Sequence, residues 1–593
     1  MMMFSVVVVV LLLARTTAAR RKVQKSRSYR RLSNSLSSRS PLRKLGLETV
    51  PSSLNCTWKY YSQNLDHFAV GSAGKYDQRV CVYDGFVRGS KPSHVLFYTG
   101  NESPVEEYAN NTGLMWEVGA DLGSLLVFAE HRYEGKSVPV TQNVRNCLSY
   151  CTPEQALGDY AALVSTLRDE YESPDLPFAA IGGSYGGMLS SWFRMKYPSA
   201  VVGAIAGSAP IWGFPTIDGS LDSSSVAVAR NFGTSGGLPN DNCRLNLLGA
   251  WPLMAALGKT QEGREYLAET MGLCDASATG YEIAEAVQGV FFDLAEGNYP
   301  FASTYITSAV GPGYFPLPPW PIRVACEPLV SELFVHFTGN ISEVIFEVAT
   351  SDDLATVAVN WDQVTNLEPI DLFRKDDAPL SQLLKGVANV WATWCNVTAN
   401  LQCLSASAGA YCATGGAPPF VEQEEEALYP LSRLTSNDDS DVCTAASYSG
   451  GSWEPVCCND DLNLVNTIAQ GTGRDELFWP PNLERNYSLA SVLGVPYGES
   501  TRGCRSPIGL AGYPATSDPW ARNMITQYGD KQSAQAASNI VFSNGRLDPW
   551  SASGVYADAK STLPGFEGPY VQNVSLASTT AYILDLGTFF LQM

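Results

Sequence analysis

Apolar residues fall in short unbroken runs through the first third of the chain. They stand at His94-Val95-Leu96-Phe97-Tyr98, Ser124-Leu125-Leu126-Val127-Phe128-Ala129, Phe178-Ala179-Ala180-Ile181 and Val201-Val202-Gly203-Ala204-Ile205-Ala206. Runs of this length, bounded by turn residues and lacking polar alternation, predict parallel strands buried on both faces. Between the second and third stands Thr152-Pro153-Glu154-Gln155, which reads as a capping box with proline at the first helical position. Behind it Leu157, Tyr160, Leu163, Val164, Leu167 and Tyr171 fall on one helical face. Strand and helix therefore alternate, as in a doubly wound, mostly parallel sheet whose function sits at the carboxyl ends of the strands.

The pattern changes near residue 211. From there to about 440 the chain has helical periodicity, the turn Pro316-Leu317-Pro318-Pro319 and the acidic run Glu422-Gln423-Glu424-Glu425-Glu426, without clear strand alternation. The run Asn539-Ile540-Val541-Phe542-Ser543 then resumes the buried-strand pattern. The expected organisation is a sheet domain over 53–212 and 441–593, interrupted by a mainly helical cap over 213–440. No internal repeat stands out.

Ahead of the sheet domain, residues 1–19 carry the apolar core Val6 to Leu13 and the small residues Thr17 and Ala19, as a secretory signal does. That core is too short for a spanning helix, so no membrane span is expected. Residues 20–52 read as a basic, serine-rich leader or pro-segment: ten cations lie between Arg20 and Lys44 with no acid among them. Setting aside those ten and Arg15 leaves 28 of the 39 basic residues against 59 acidic ones. A body so acidic repels phosphate backbones, which excludes nucleic acid as partner, and suits an extracellular or acidic vesicular compartment.

Fourteen cysteines behind a signal predict disulfides. A zinc site would want paired C-x-x-C elements or nearby histidines, and Cys147/Cys151 has neither a partner pair nor a histidine close by, so no metal or other cofactor is expected. Glycosylation acceptors occur at Asn55, Asn101, Asn110, Asn340, Asn396, Asn486 and Asn573.

The chemistry centres on Gly182-Gly183-Ser184-Tyr185-Gly186, a G-x-S-x-G motif entered by an apolar strand and left through a helix. That context marks the nucleophile elbow of an α/β-hydrolase fold, with Ser184 as nucleophile. The second match, Gly233-Thr234-Ser235-Gly236-Gly237, runs into Leu238-Pro239 and is a chance occurrence in a loop. A serine needs an oxyanion hole and a base oriented by an acid. The backbone N–H of Tyr185 is one candidate donor, and the loop around Gly100 and Asn101 offers another. Asp548, in Asn544-Gly545-Arg546-Leu547-Asp548-Pro549-Trp550, follows a late strand and is the candidate acid. The histidines are His67, His94, His131 and His336, and none follows Asp548, where the fold's chain order puts the base. His131 ends a strand beside the proposed hole and reads as a structural donor.

Together these motifs resemble the serine peptidases that include lysosomal Pro-Xaa carboxypeptidase, dipeptidyl peptidase II and thymus-specific serine protease. The resemblance is carried by Gln63-Asn64-Leu65-Asp66-His67-Phe68, Tyr98-Thr99-Gly100-Asn101-Glu102, Glu130-His131-Arg132-Tyr133, Thr152-Pro153-Glu154-Gln155-Ala156-Leu157, the elbow and the Asp548 segment. It implies exopeptidase cleavage of short peptides after proline, with Ser184 and Asp548 in the triad. It offers Glu102, Trp453, Asp460 and Trp550 as substrate-binding candidates and a homodimer as a possible assembly. The family's base lies in a Gly-Ala-His-His-Leu-Asp-Leu stretch. Its counterpart is Thr580-Ala581-Tyr582-Ile583-Leu584-Asp585-Leu586, so Tyr582 and Ile583 replace both histidines. The family's Trp-x-x-Gln-x-Cys-Thr-Glu element also departs, running from Trp453 to Asp460. Three expectations stand: a peptidase whose last segment differs from the one written here, a pseudopeptidase keeping the fold and peptide binding, or an esterase or lipase using the same serine.

Overall fold

The computed structural model describes residues 51–71, 73–139, 150–211, 227–303, 305, 316–338, 343–349, 354–360, 378–397, 401–406, 456, 477, 527–528, 537–555 and 579–584. The amino-terminal 50 residues, the acidic run 422–426, Trp453, Asp460, Asn340, Asn486 and Asn573 lie outside the described residues.

Strands β1 (Thr57–Asn64), β2 (Lys75–Tyr83), β3 (Val95–Thr99), β4 (Leu125–Ala129), β5 (Phe178–Gly183) and β6 (Gly203–Gly207) precede residue 208. Strands β10 (Ile540–Gly545) and β11 (Thr579–Leu584) follow residue 539. They make one eight-stranded sheet in the order β1-β2-β4-β3-β5-β6-β10-β11, antiparallel from β1 through β4 and parallel from there on. This is the α/β-hydrolase architecture. The four early apolar runs are all strands, and β3, β4 and β6 are buried at every position, as strands covered by helices on both faces must be. The β1–β2 hairpin, whose outer strand is half polar, carries no such signal.

Helices α1 (Val105–Asn111), α2 (Gly113–Leu122), α3 (Pro153–Glu170) and α4 (Tyr185–Lys196) flank the sheet. The start of α3 corrects one sequence expectation. Thr152 accepts from the Gln155 amide as an N-cap should, but the Gln155 side chain does not reach back. It donates instead to Asp66 at 2.7 Å and accepts from the His67 amide at 2.8 Å, tying the Gln63–Phe68 segment onto the helix.

That segment caps a buried ionic network. Arg132, fully buried, pairs with both oxygens of Asp159 at 2.7 and 2.8 Å, and donates to the carbonyls of Leu65, Tyr150 and Asn64. His67 and Tyr76 complete the shell of Asp159, each at 2.7 Å. Burial pushes the Asp159 carboxyl up, but Arg132 and the hydrogen bonds outweigh it and hold it below its ordinary range. Residues matched by the family motifs Gln63–Phe68 and Glu130–Tyr133 thus serve the scaffold.

A separate apolar core lies between β6 and β10 in sequence. It is built by α5 (Asn242–Leu257), α6 (Gln261–Met271), α7 (Gly280–Gly289), α8 (Phe291–Glu296), α9 (Pro321–Cys326) and α10 (Ala378–Cys395). Disulfides Cys243–Cys326 and Cys274–Cys403 tie its distant segments, and Cys56–Cys81 pins β1 to β2. Beside the helices expected here, β7 (His336–Thr338), β8 (Glu343–Ala349) and β9 (Leu354–Asn360) form a small antiparallel sheet that the sequence pattern did not indicate. Its strands are rich in valine and other β-formers, but the alternation of β8 is blurred by Val344-Ile345-Phe346. No helix among the described residues is long and apolar enough to cross a membrane.

Candidate active site

Ser184 stands between β5 and α4 with φ 56° and ψ −130°, a left-handed conformation that serine adopts only where surroundings impose it. The neighbouring glycines explain how they do. A Cβ on Gly182 would lie 2.1 Å from the Gly186 carbonyl oxygen, and one on Gly186 would lie 2.7 Å from the Thr99 carbonyl oxygen. The Thr99 hydroxyl donates to the Gly186 carbonyl at 2.7 Å, and the Ser184 amide to Gly207 at 2.9 Å. The turn is held shut by its own backbone, and only 9% of Ser184 remains exposed. The other G-x-S-x-G match is a short 3₁₀ turn ending at left-handed Gly237, with no strand feeding it.

The first turn of α4 leaves its N–H groups without helical partners, so the Tyr185 amide remains a candidate oxyanion donor. The second donor requires a correction. The Gly100 N–H is committed to the Ala129 carbonyl at 3.0 Å, and the Gly100 carbonyl accepts from Tyr160 at 2.6 Å. Glu102 turns its carboxyl onto its own backbone amide. Of Gly100 and Asn101, Asn101 remains the candidate donor of this loop. Its fully buried side chain lies over Gly186, which also rules it out as a glycosylation acceptor in the folded chain. Asn55 and Asn110 are exposed, and the Asn396 amide is engaged at both ends by Leu401.

Asp548 follows β10, two strands from the elbow. The link is short: Gly207 binds the Ser184 amide, and the next residue, Ser208, donates its amide to Ser543 at 2.7 Å. Asp548 is fully buried, and one oxygen accepts from the Trp550 amide at 2.9 Å while Oδ2 has no hydrogen-bond partner. Burial pushes its carboxyl up to about 7 against the hydrogen bonds from Ser208 and Trp550. An amide relay from the helical layer holds its turn. Asn298 donates to Asn231 at 2.9 Å, and Asn231 donates to the Leu547 carbonyl at 2.7 Å.

Among the described residues no histidine side chain joins this pair. His131 is buried, donating from Nδ1 to the Arg132 carbonyl at 2.6 Å and meeting the Tyr185 hydroxyl at 3.2 Å through Nε2. Burial pushes it down to about 4. It is the structural donor expected. His67 belongs to the Asp159 network, His94 bonds Ser93 and Ser124, and His336 lies in the small sheet. Tyr582 and Ile583 lie within β11, level with Ser543 and Asn544, and not in a loop beyond the strand end.

The structure adds residues the motifs did not indicate. Glu296, at the end of α8, feels Asp293, Asp548 and Glu102, and burial with those charges pushes it well above the carboxylate range. Burial also raises Glu102 to about 7 and Asp293 to about 6. Trp550, a substrate-binding candidate, packs edge-on against Phe292 at 5.1 Å, joining the Asp548 turn to α8. Glu296 lies more than a hundred residues from the elbow in a segment without a motif, and only tertiary packing brings it here.

The profile of the family described as serine carboxypeptidase S28 matches residues 63–349. The chain is similar to lysosomal Pro-X carboxypeptidase of Homo sapiens, 30% identical over 539 residues that cover 88% of this chain and 85% of the relative. It is 29% identical to that of Mus musculus, covering 85% and 80%. It is also 34% identical to prolyl carboxy peptidase like protein 5 of Caenorhabditis elegans, over 45% of this chain and 52% of that one.

Proposed function

The chain belongs to the serine carboxypeptidase S28 family, and from that premise we propose that its site is that of a serine-type exopeptidase acting on short peptides after proline. Ser184 is the nucleophile, the amides of Tyr185 and Asn101 receive the oxyanion, and Asp548 is the acid. The observation that carries this reading is the strained elbow at Ser184 beside a buried carboxyl whose Oδ2 is unpartnered. Such an oxygen has the chemistry to accept an imidazole N–H.

Proton transfer is the step for which this sequence holds no group. His67, His94 and His131 are engaged by other partners, His336 lies in the small sheet, and an unassisted serine hydroxyl is a weak nucleophile. A triad enzyme without its base keeps roughly 10³ to 10⁴ over water, from binding and the oxyanion hole. The chain as written therefore binds peptides and turns them over slowly, which is the pseudopeptidase reading in kinetic form. The test is prolonged incubation with an Ala-Pro-Ala series and with simple acyl esters, followed by mass spectrometry. Slow cleavage on the carboxyl side of proline, lost in Ser184→Ala, supports the proposal. Cleavage at other bonds, or faster turnover of the esters, contradicts it.

A further inference from the structure

Tyr160 stands on the apolar face of α3 and is fully buried, with its ring 5.6 Å from Phe97 of β3 and 6.1 Å from Phe193 of α4. Those two rings also meet each other at 6.0 Å, so the side chain is wedged between the strand that leads into the oxyanion loop and the helix that leaves the elbow. The ring is what the apolar periodicity of α3 calls for. The hydroxyl is not, since phenylalanine would fill the same space. That hydroxyl donates to the Gly100 carbonyl at 2.6 Å. Burial, reinforced by Asp159, holds it protonated well above its ordinary range, so it remains a donor at any working pH.

The Gly100 carbonyl and the Asn101 N–H are the two ends of one peptide unit. In a trans peptide they point in opposite directions, so a donor that fixes the carbonyl also fixes where the N–H points. The backbone here needs such a restraint. A Cβ on residue 100 would lie 2.2 Å from the Ala129 carbonyl oxygen, so the position requires glycine, and glycine leaves the torsion that turns this peptide soft. Neighbouring groups of the loop are held by other partners: the Gly100 amide by Ala129 at 3.0 Å, the Asn101 carbonyl by the Ser103 amide at 2.9 Å, and the Val105 amide by Glu130 at 3.2 Å. The loop in turn lies on the elbow, where a Cβ on Gly186 would meet the Thr99 carbonyl oxygen at 2.7 Å and Asn101 Oδ1 at 3.0 Å. A hydrogen bond at the carbonyl also draws charge through the amide, which makes its N–H a stronger donor.

We propose that Tyr160 is a positioning residue for the oxyanion hole: its hydroxyl orients and polarises the Gly100–Asn101 peptide so that the Asn101 N–H meets the negative charge that develops beside Ser184. The inference rests on the serine-peptidase reading above, in which that amide receives the oxyanion. Tyr160 touches no substrate. Its contribution appears only where charge develops, so its removal weakens the hold on a tetrahedral anion and spares the ground-state peptide.

The test compares the boronic acid Ala-boroPro with Ala-Pro amide by titration calorimetry, with boron NMR following the adduct. On Ser184 a bond forms between boron and Oγ, the hydroxyl proton passes to water, and the boron becomes a tetrahedral anion. In the natural chain the boronate should bind tighter than the amide and give a tetrahedral signal that Ser184→Ala abolishes. Tyr160→Phe should cut the ratio of boronate to amide affinity about 10-fold, less than the roughly 10² to 10³ that deleting a donor outright costs, and leave amide binding unchanged. Replacing Tyr160 by 3-fluorotyrosine, a more acidic donor of nearly the same size, should raise the ratio, which a loss of stability cannot do. Tyr76→Phe deletes another buried tyrosine hydroxyl, the one on Asp159 at 2.7 Å, and should leave the ratio as in the natural chain. A ratio unmoved by Tyr160→Phe or by the fluorinated residue, or a fall matched in Tyr76→Phe, overturns the proposal and keeps the peptidase site. Absence of a tetrahedral adduct in the natural chain overturns both.

Discussion

Raising the pH from 5 to 7.5 forces a proton off Asp548 in an interior that offers its charge little compensation. The carboxyl titrates near 7 when folded because it is fully buried, whereas in the unfolded chain it ionises near 4. Between those values the native state holds the proton and the unfolded state does not, so stability falls as pH rises through that window. At ~1.4 kcal/mol per pKa unit, crossing from pH 5 to 7.5 costs on the order of 2 kcal/mol from this group alone. Glu102, raised to about 7, and Asp293, raised to about 6, act in the same direction. The assay is apparent Tm against pH at fixed salt and scan rate, on the natural chain and on Asp548→Asn. The natural chain should lose several degrees between pH 5 and 7.5, and the variant should lose distinctly less. A Tm that is flat or rising over that range, or identical slopes in the two proteins, would refute the assignment of a buried, proton-holding acid at 548.

Other consequences follow from packing. Gly186→Ala places a Cβ 2.7 Å from a backbone oxygen, so the elbow must open. Loss of Tm and of any Ser184-dependent turnover are expected together, and a variant with unchanged Tm would mean that the turn has room. Asp159→Ala strands the buried Arg132 guanidinium, and denaturant melts should show a loss of about 3 to 5 kcal/mol. Because Asp159 is held below its ordinary range, the natural chain should lose its contribution only as pH falls below about 4, opposite to Asp548. Replacing Cys243 and Cys326 by serine removes a cross-link between residues 83 apart, for a predicted loss of about 4.5 kcal/mol by chain entropy.

The strands flanking the elbow were legible because a two-sided buried strand must be an unbroken apolar run, as at Leu125–Ala129. Ser184 and Asp548 were legible because a strained turn and a strand-end acid need particular neighbours in sequence. The β1–β2 hairpin was not, since an edge strand shares its polar composition with loops. Gly100 looked equal to Asn101 as an oxyanion donor until the sheet showed which amide was already used. Glu296 and Asn231 carried no local signal, because their roles arise only where the helical layer meets the strand ends.

The central claim is that Ser184 is a poised elbow nucleophile in a site whose base this sequence does not contain. Labelling with a fluorophosphonate tests it directly, comparing the natural chain with Ser184→Ala. Reaction at Ser184 should be at least ~10³-fold slower than in a complete triad, leaving the two proteins nearly alike on the usual time scale. Rapid labelling of the natural chain, abolished by Ser184→Ala, would contradict the account.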